Sequence, residues 1–167
     1  MLARLPFRHL AFALFSVCAA MLAFGLYLQH VKGIEPCPMC IMQRYALAVC
    51  GLIGLVAGLH NPRGGAQLAY SALLGVAALA GGSVAARQSW IQWYPPAVSE
   101  CGPGLEYMLE SFPLASALPM IFRGAGDCSV VDWTFLGLTI ANWSFIAFAV
   151  ILVAVATYLT QRSKNIG

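Results

Sequence analysis

Cys37-Pro38-Met39-Cys40, Cys101 and Cys128 are the residues of this 167-residue chain whose types and spacing can do chemistry. A C-x-x-C pair closes a very small disulfide ring, which makes a poor staple and a good redox switch. Arg44 follows Cys40 by four residues, so on a helix the two share a face. Cys40 also falls at the start of a long apolar run, where a helix N-terminus favours an anion. Both influences stabilise negative charge on sulfur. Thiol–disulfide exchange is the chemistry these residues point to. Arg44 has a second use, which is to snorkel its charge to an interface.

The elements that must position these residues are membrane helices. The chain is 60% hydrophobic and 9% charged, against roughly 25% charged in soluble domains. A membrane-spanning helix needs about 20 apolar residues, and four stretches qualify, at about 10–29, 41–59, 67–86 and 143–160. Arg44 is the one charge inside them. A secretory signal peptide is the competing reading of the first stretch, but its apolar run of about 19 residues exceeds the usual 7–15. Bulky Val17 before Cys18 also makes a poor lipoprotein site. The expectation is an uncleaved helix. Short connections then give an all-α membrane protein, a four-helix up-down bundle forming a single integral membrane domain over residues 1–167. Gly51, Gly54 and Gly58 on the second helix and Gly75, Gly81 and Gly82 on the third read as structural, since small residues let helices approach closely in lipid.

Charge sets the orientation. Arg4, Arg8, Arg63, Arg162 and Lys164 lie at the two ends and in the middle connection, Asn61-Pro62-Arg63-Gly64-Gly65, which hold no acidic residue. All six acids, Glu35, Glu100, Glu106, Glu110, Asp127 and Asp132, fall in the other two connections, at about 30–40 and 87–142. Positive charge inside places both termini in the cytoplasm and those two loops outside. Trp90, Trp93, Tyr94, Trp133 and Trp143 cluster where an outer aromatic belt would lie. All four cysteines of interest therefore face outward. In the long loop, prolines and glycines rule out a long helix, and the apolar segment 114–122 is too short to span and is expected to lie on the outer leaflet.

Other functions fit less well. A net charge of +3 without a dense basic run gives no nucleic-acid signal. C-x-x-C is also half of a zinc site, but residues 102–127 separate Cys101 from Cys128, and His30 is the one outward-facing histidine. No metal is therefore expected. Structural disulfides persist outside the cytosol, so a non-enzymatic four-helix scaffold remains an alternative. Cys18 and Cys50 sit in apolar runs, where free cysteine behaves as a small hydrophobe. An oxidised thiol pair needs an electron sink. The chain carries no haem ligands or flavin motif, whereas a lipid-soluble quinone needs an apolar cleft and one or two polar anchors, of which Arg44 could be one.

Glu35-Pro36-Cys37-Pro38-Met39-Cys40-Ile41-Met42-Gln43-Arg44, then Gln92-Trp93-Tyr94-Pro95 leading to Cys101, then Gly126-Asp127-Cys128 and Trp133-Thr134-Phe135-Leu136-Gly137, resembles the bacterial disulfide bond formation protein B (DsbB) family. The match covers nearly the whole chain. The resemblance implies a multi-pass inner-membrane thiol:quinone oxidoreductase. Such an enzyme reoxidises a periplasmic thioredoxin-fold partner of the DsbA type and passes the electrons to ubiquinone, or to menaquinone. It implies redox-active disulfides Cys37–Cys40 and Cys101–Cys128, with Cys101 taking the partner in a mixed disulfide, Cys128 resolving it, and Arg44 contacting the quinone. Gln88 stands where some members carry a histidine near the quinone, and its amide could still hydrogen-bond there. A paralogue serving one dedicated partner is the nearest alternative within the family.

Overall fold

The computed structural model describes residues 7–95 and 128–166, with positions 107, 110–113, 116 and 119 between them. The principal elements are four long helices and one small hairpin: α1 Phe7–His30, α2 Pro38–His60, α3 Gly65–Trp93, β1 Thr134–Phe135, β2 Leu138–Thr139 and α4 Ile140–Ile166. Each of the four helices contains a segment long and apolar enough to cross a membrane, in α4 over Ile140–Gln161. The protein is an all-α, multi-pass membrane protein. The expected interfacial segment at 114–122 lies largely outside the described residues, as does Cys101.

Local chemistry explains where the helices start and stop. Cys37 is the N-cap of α2, with extended backbone, and Pro38 occupies the first turn, where its missing N–H costs nothing. The C-x-x-C pair thus straddles the helix start, three residues earlier than the apolar run alone marks it. Asn61 ends α2 in the left-handed region (φ 46°), with its N–H on the Ala57 carbonyl at 3.0 Å. The helix α3 continues to Trp93, so Arg87 and Gln88 lie within it and not in a loop beginning at 87. Charge at Arg87 marks the end of the apolar stretch, but the first true breakers are Pro95 and Pro96. Those seven extra residues carry the helix about 10 Å further. The expected loop also ends early. Leu136 and Gly137, both at positive φ, make a two-residue turn that pairs Thr134 with Thr139 and Phe135 with Leu138.

Helices pack α1 on α2, α2 on α3 and α3 on α4. The glycines behave as the sequence reading expects at the tightest crossings. A Cβ on Gly54 would sit 2.9 Å from the Ala11 carbonyl oxygen, and one on Gly58 would meet the Phe12 ring at 3.0 Å. Phe148 of α4 fills the centre, with Cys18, Leu47, Cys50, Ala78 and Ala85 around it. Outward-facing Leu52, Leu59, Val76, Leu79, Val150 and Val153 are exposed. A water-soluble protein would not carry so much bare apolar surface, whereas lipid accepts it. Arg44 joins α2 to the first helix, as the site geometry details.

Candidate redox site

Three elements bring the cysteines together. The start of α2 presents Cys37 and Cys40, the C-terminal end of α3 presents Gln88, and the chain entering the hairpin delivers Cys128. The Sγ atoms of Cys37 and Cys40 are 3.2 Å apart. Closing that gap to the ~2.05 Å of a disulfide is a small motion. Cys37 caps the helix through its own sulfur, which accepts the Cys40 backbone N–H at 3.4 Å. Cys128 is fully buried among Met39, Val84 and Ile91, and Cys37, Ile41 and Met42 pack against the same cluster. Cys37 thus meets Cys128 in this cluster. The neighbouring Cys128 and Cys40 sulfurs and burial push the Cys37 thiol above its ordinary value.

Gln88 gives the sulfurs their amide. Its Nε2 donates to Cys40 Sγ at 3.1 Å and to Cys37 Sγ at 3.3 Å. The sequence reading expects Gln88 near the quinone, and the structure sets its amide against the thiols. Arg44 is half-buried and turned toward α1. It donates through Nη2 to the Gly25 carbonyl at 3.0 Å and through Nη1 to Gln29 Oε1. Its guanidinium is hydrogen-bonded to the first helix, and it lines the same cavity as Cys40. A Cβ on Gly25 would lie 3.4 Å from Arg44 Nε, so the lack of a side chain at Gly25 leaves room for the guanidinium.

A cavity of about 700 Å³ opens beside the pair. Its floor and walls are mostly apolar, with Met21, Leu22, Leu28 and Leu47 among them; beside the thiols its polar lining includes Gln43, Arg44, Gln88 and Gln92, with the carboxylates Glu35 and Asp132 also on the wall. Trp133 and Phe135 cover one side, with Phe24 edge-on to Trp133 at 5.3 Å. This combination suits a flat, largely apolar ring held by one or two polar contacts. The hairpin is fixed below by Thr139, which donates to Gln92 Oε1 at 2.7 Å and accepts the Asn142 N–H.

Sequence reading missed two participants. Gln43 is 2% exposed and donates to Gln88 Oε1 at 2.6 Å. Its spacing of three residues from Cys40 was the available signal, since polar residues at that interval inside an apolar span share the face that carries chemistry. Gln29 is the other, and only the packing of α1 on α2 identifies it as the partner of Arg44.

Comparison with known proteins agrees with this geometry. The family model for disulfide bond formation protein DsbB matches residues 7–158. A disulfide bond formation protein B from Azoarcus sp. is 72% identical over 141 residues, covering 84% of this chain and 85% of the relative. One from Aromatoleum aromaticum is 62% identical over 155 residues, 93% of each chain. A third, from Acidovorax sp., is 53% identical over 152 residues, with 90% of this chain and 86% of the relative covered. With the thiol pair, its amide and its cavity already in place, these matches assign a disulfide-forming oxidoreductase role: the chain belongs to the disulfide bond formation protein DsbB family.

Proposed function

We propose that the protein is a thiol:quinone oxidoreductase of the bacterial inner membrane. It reoxidises a periplasmic thioredoxin-fold disulfide donor of the DsbA type and passes two electrons to ubiquinone or menaquinone. Both termini face the cytoplasm in this reading, and the redox site faces the periplasm. The distribution of charge supports that orientation, because Arg63 lies in the α2–α3 turn and the acids Glu35 and Asp132 lie at the opposite end. The observation that carries the function is the placement of Cys128 against Cys37, with Cys40 beside the apolar cavity.

The residues act in sequence. A thiolate of the reduced partner attacks Cys101 of the Cys101–Cys128 disulfide, and Cys128 leaves. Cys128 then attacks Cys37 of the oxidised Cys37–Cys40 pair, forming Cys37–Cys128 and releasing Cys40. The partner's second thiol expels Cys101 and leaves oxidised. Cys101 then takes back Cys128, which frees Cys37 beside Cys40. Re-formation of Cys37–Cys40 gives up two electrons and two protons. A quinone bound in the cavity supplies the sink for them. Met21, Leu22, Leu28 and Leu47 supply apolar surface for it, and Arg44 a positive edge.

The test is quinone absorbance during turnover, with the purified protein in detergent and a reduced thioredoxin-fold partner. Loss of the oxidised quinone band should match loss of partner thiols, and Cys40→Ser should abolish both. Partner oxidation that continues at the wild-type rate in Cys40→Ser contradicts the assignment.

A further inference from the structure

Gln43 and Gln88 are both 2% exposed, and they come from different helices to meet beside the sulfurs. A side-chain amide has an accepting end and a donating end. Gln43 Nε2 occupies the accepting end of Gln88, at 2.6 Å from Oε1. With its oxygen engaged there, Gln88 turns Nε2 to Cys40 Sγ at 3.1 Å and to Cys37 Sγ at 3.3 Å. Gln88 Oε1 stands further off, 3.6 Å from Cys40 Sγ, and rotating the amide by half a turn would make it the nearer atom and set two NH₂ groups against each other. An oxygen there would repel a thiolate. With Gln43 Nε2 turned toward Gln88, their contact disfavours that orientation.

From this geometry, we infer that Gln43 is a positioning residue which locks the Gln88 amide with its N–H groups toward Cys37 and Cys40, so that Gln88 stabilises the reduced pair and sets how readily it oxidises. The inference rests on the redox reading of Cys37 and Cys40 proposed above. Gln88 touches the reacting sulfurs, whereas Gln43 acts through Gln88 alone. The nearby cation does not replace them: two of the Arg44 nitrogens already donate to Gly25 and Gln29. A donor to sulfur favours the negatively charged, reduced form over the neutral disulfide. Removing it therefore moves the equilibrium toward the disulfide.

The experiment needs no quinone. Full-length protein in detergent is equilibrated with glutathione buffers of graded ratio. Oxidised glutathione takes the two electrons as Cys37–Cys40 closes, and leaves as two glutathione thiols. After acid quenching and alkylation, the peptide holding both cysteines is quantified by mass spectrometry. Gln88→Met should shift the equilibrium constant about tenfold toward the disulfide, which is about 30 mV for a two-electron couple. Gln43→Met should shift it several-fold in the same direction, and the double variant should match Gln88→Met alone. Gln88→Asn, one methylene short of the sulfurs, gives a second route to the same shift should Gln88→Met fail to fold. Shifts that add in the double variant overturn the positioning role of Gln43. Lowered thermal stability of Gln43→Met with an unmoved equilibrium constant reduces Gln43 to packing and likewise overturns it. A wild-type pair that does not cycle at all overturns the redox reading, and the inference with it; cycling with unshifted variants overturns the inference alone.

Discussion

The Arg44 Nη2 donates to the backbone carbonyl of Gly25 at 3.0 Å, tying the redox end of α2 to the first helix. A cation at this depth is held by a neighbouring helix instead of by water alone, and it still lines the cavity beside Cys40. Arg44→Met should therefore raise the KM for quinone about tenfold or more, the value of one charge-assisted hydrogen bond, and lower thermal stability only slightly. Gly25→Val should do the same in weaker form, because a branched side chain crowds Arg44 Nε. Steady-state kinetics at varied quinone concentration check both. An unchanged KM in Arg44→Met would remove Arg44 from the binding site.

Cys128 first, then Cys40 and burial, raise the Cys37 thiol above its ordinary value. A raised pKa means the reactive thiolate appears only at high pH. In the reduced protein, alkylation of Cys37 should stay slow through about pH 8.5, where an ordinary thiol is half ionised. Cys128→Ala removes the leading cause, so the alkylation profile should move to lower pH. Peptide mass spectrometry across a pH series reads this directly. Identical midpoints in wild type and Cys128→Ala would show that Cys128 does not govern the thiol.

Much of this was legible in the residues, and the failures have physical reasons. Four apolar runs sufficed for the four helices, because lipid demands a continuous apolar stretch and the chain supplies four. Cys37, Cys40 and Arg44 were readable as one unit because helical spacing places them together. The helix ends were less legible. A charge such as Arg87 marks where hydrophobicity falls, but a helix stops only at a breaker, so α3 runs on to the residue before Tyr94 and Pro95. The approach of Cys128 to Cys37, and the pairing of Gln43 with Gln88, join residues far apart in sequence. Periodicity reports a face of one helix and cannot tell which neighbour that face meets.

Cys101 and Cys40 should separate by phenotype. In the proposed exchange, Cys101→Ser removes the sulfur that meets the partner, and leaves Cys37 and Cys40 free to close. Partner oxidation should stop, while a small dithiol that can reach the Cys37–Cys40 pair still drives quinone reduction. Cys40→Ser should stop both. Assays with dithiothreitol alongside the reduced partner distinguish them. Equal loss of dithiothreitol-driven turnover in both variants would break the division of labour.

Gly81 is the packing position on which α3 and α4 most depend. A Cβ there would lie 2.3 Å from Phe148 Cζ and 2.7 Å from Ala46 Cβ, closer than real Cβ atoms come. Phe148 is itself fully buried, so its ring cannot simply swing away. Gly81→Ala should therefore cost about 1–3 kcal/mol, the usual penalty of overpacking a dense core. Phe148→Leu, which shortens the ring's reach, should return part of that stability when combined with Gly81→Ala. Thermal unfolding in detergent of the single and double variants gives the coupling. Because the crossing lies well below the thiol pair, glutathione equilibria of Cys37 and Cys40 should stay at wild-type values in the folded fraction. A Gly81→Ala protein as stable as wild type would mean that α4 can slide past α3 at this crossing, and that the bundle tolerates a looser fit than its close approach implies.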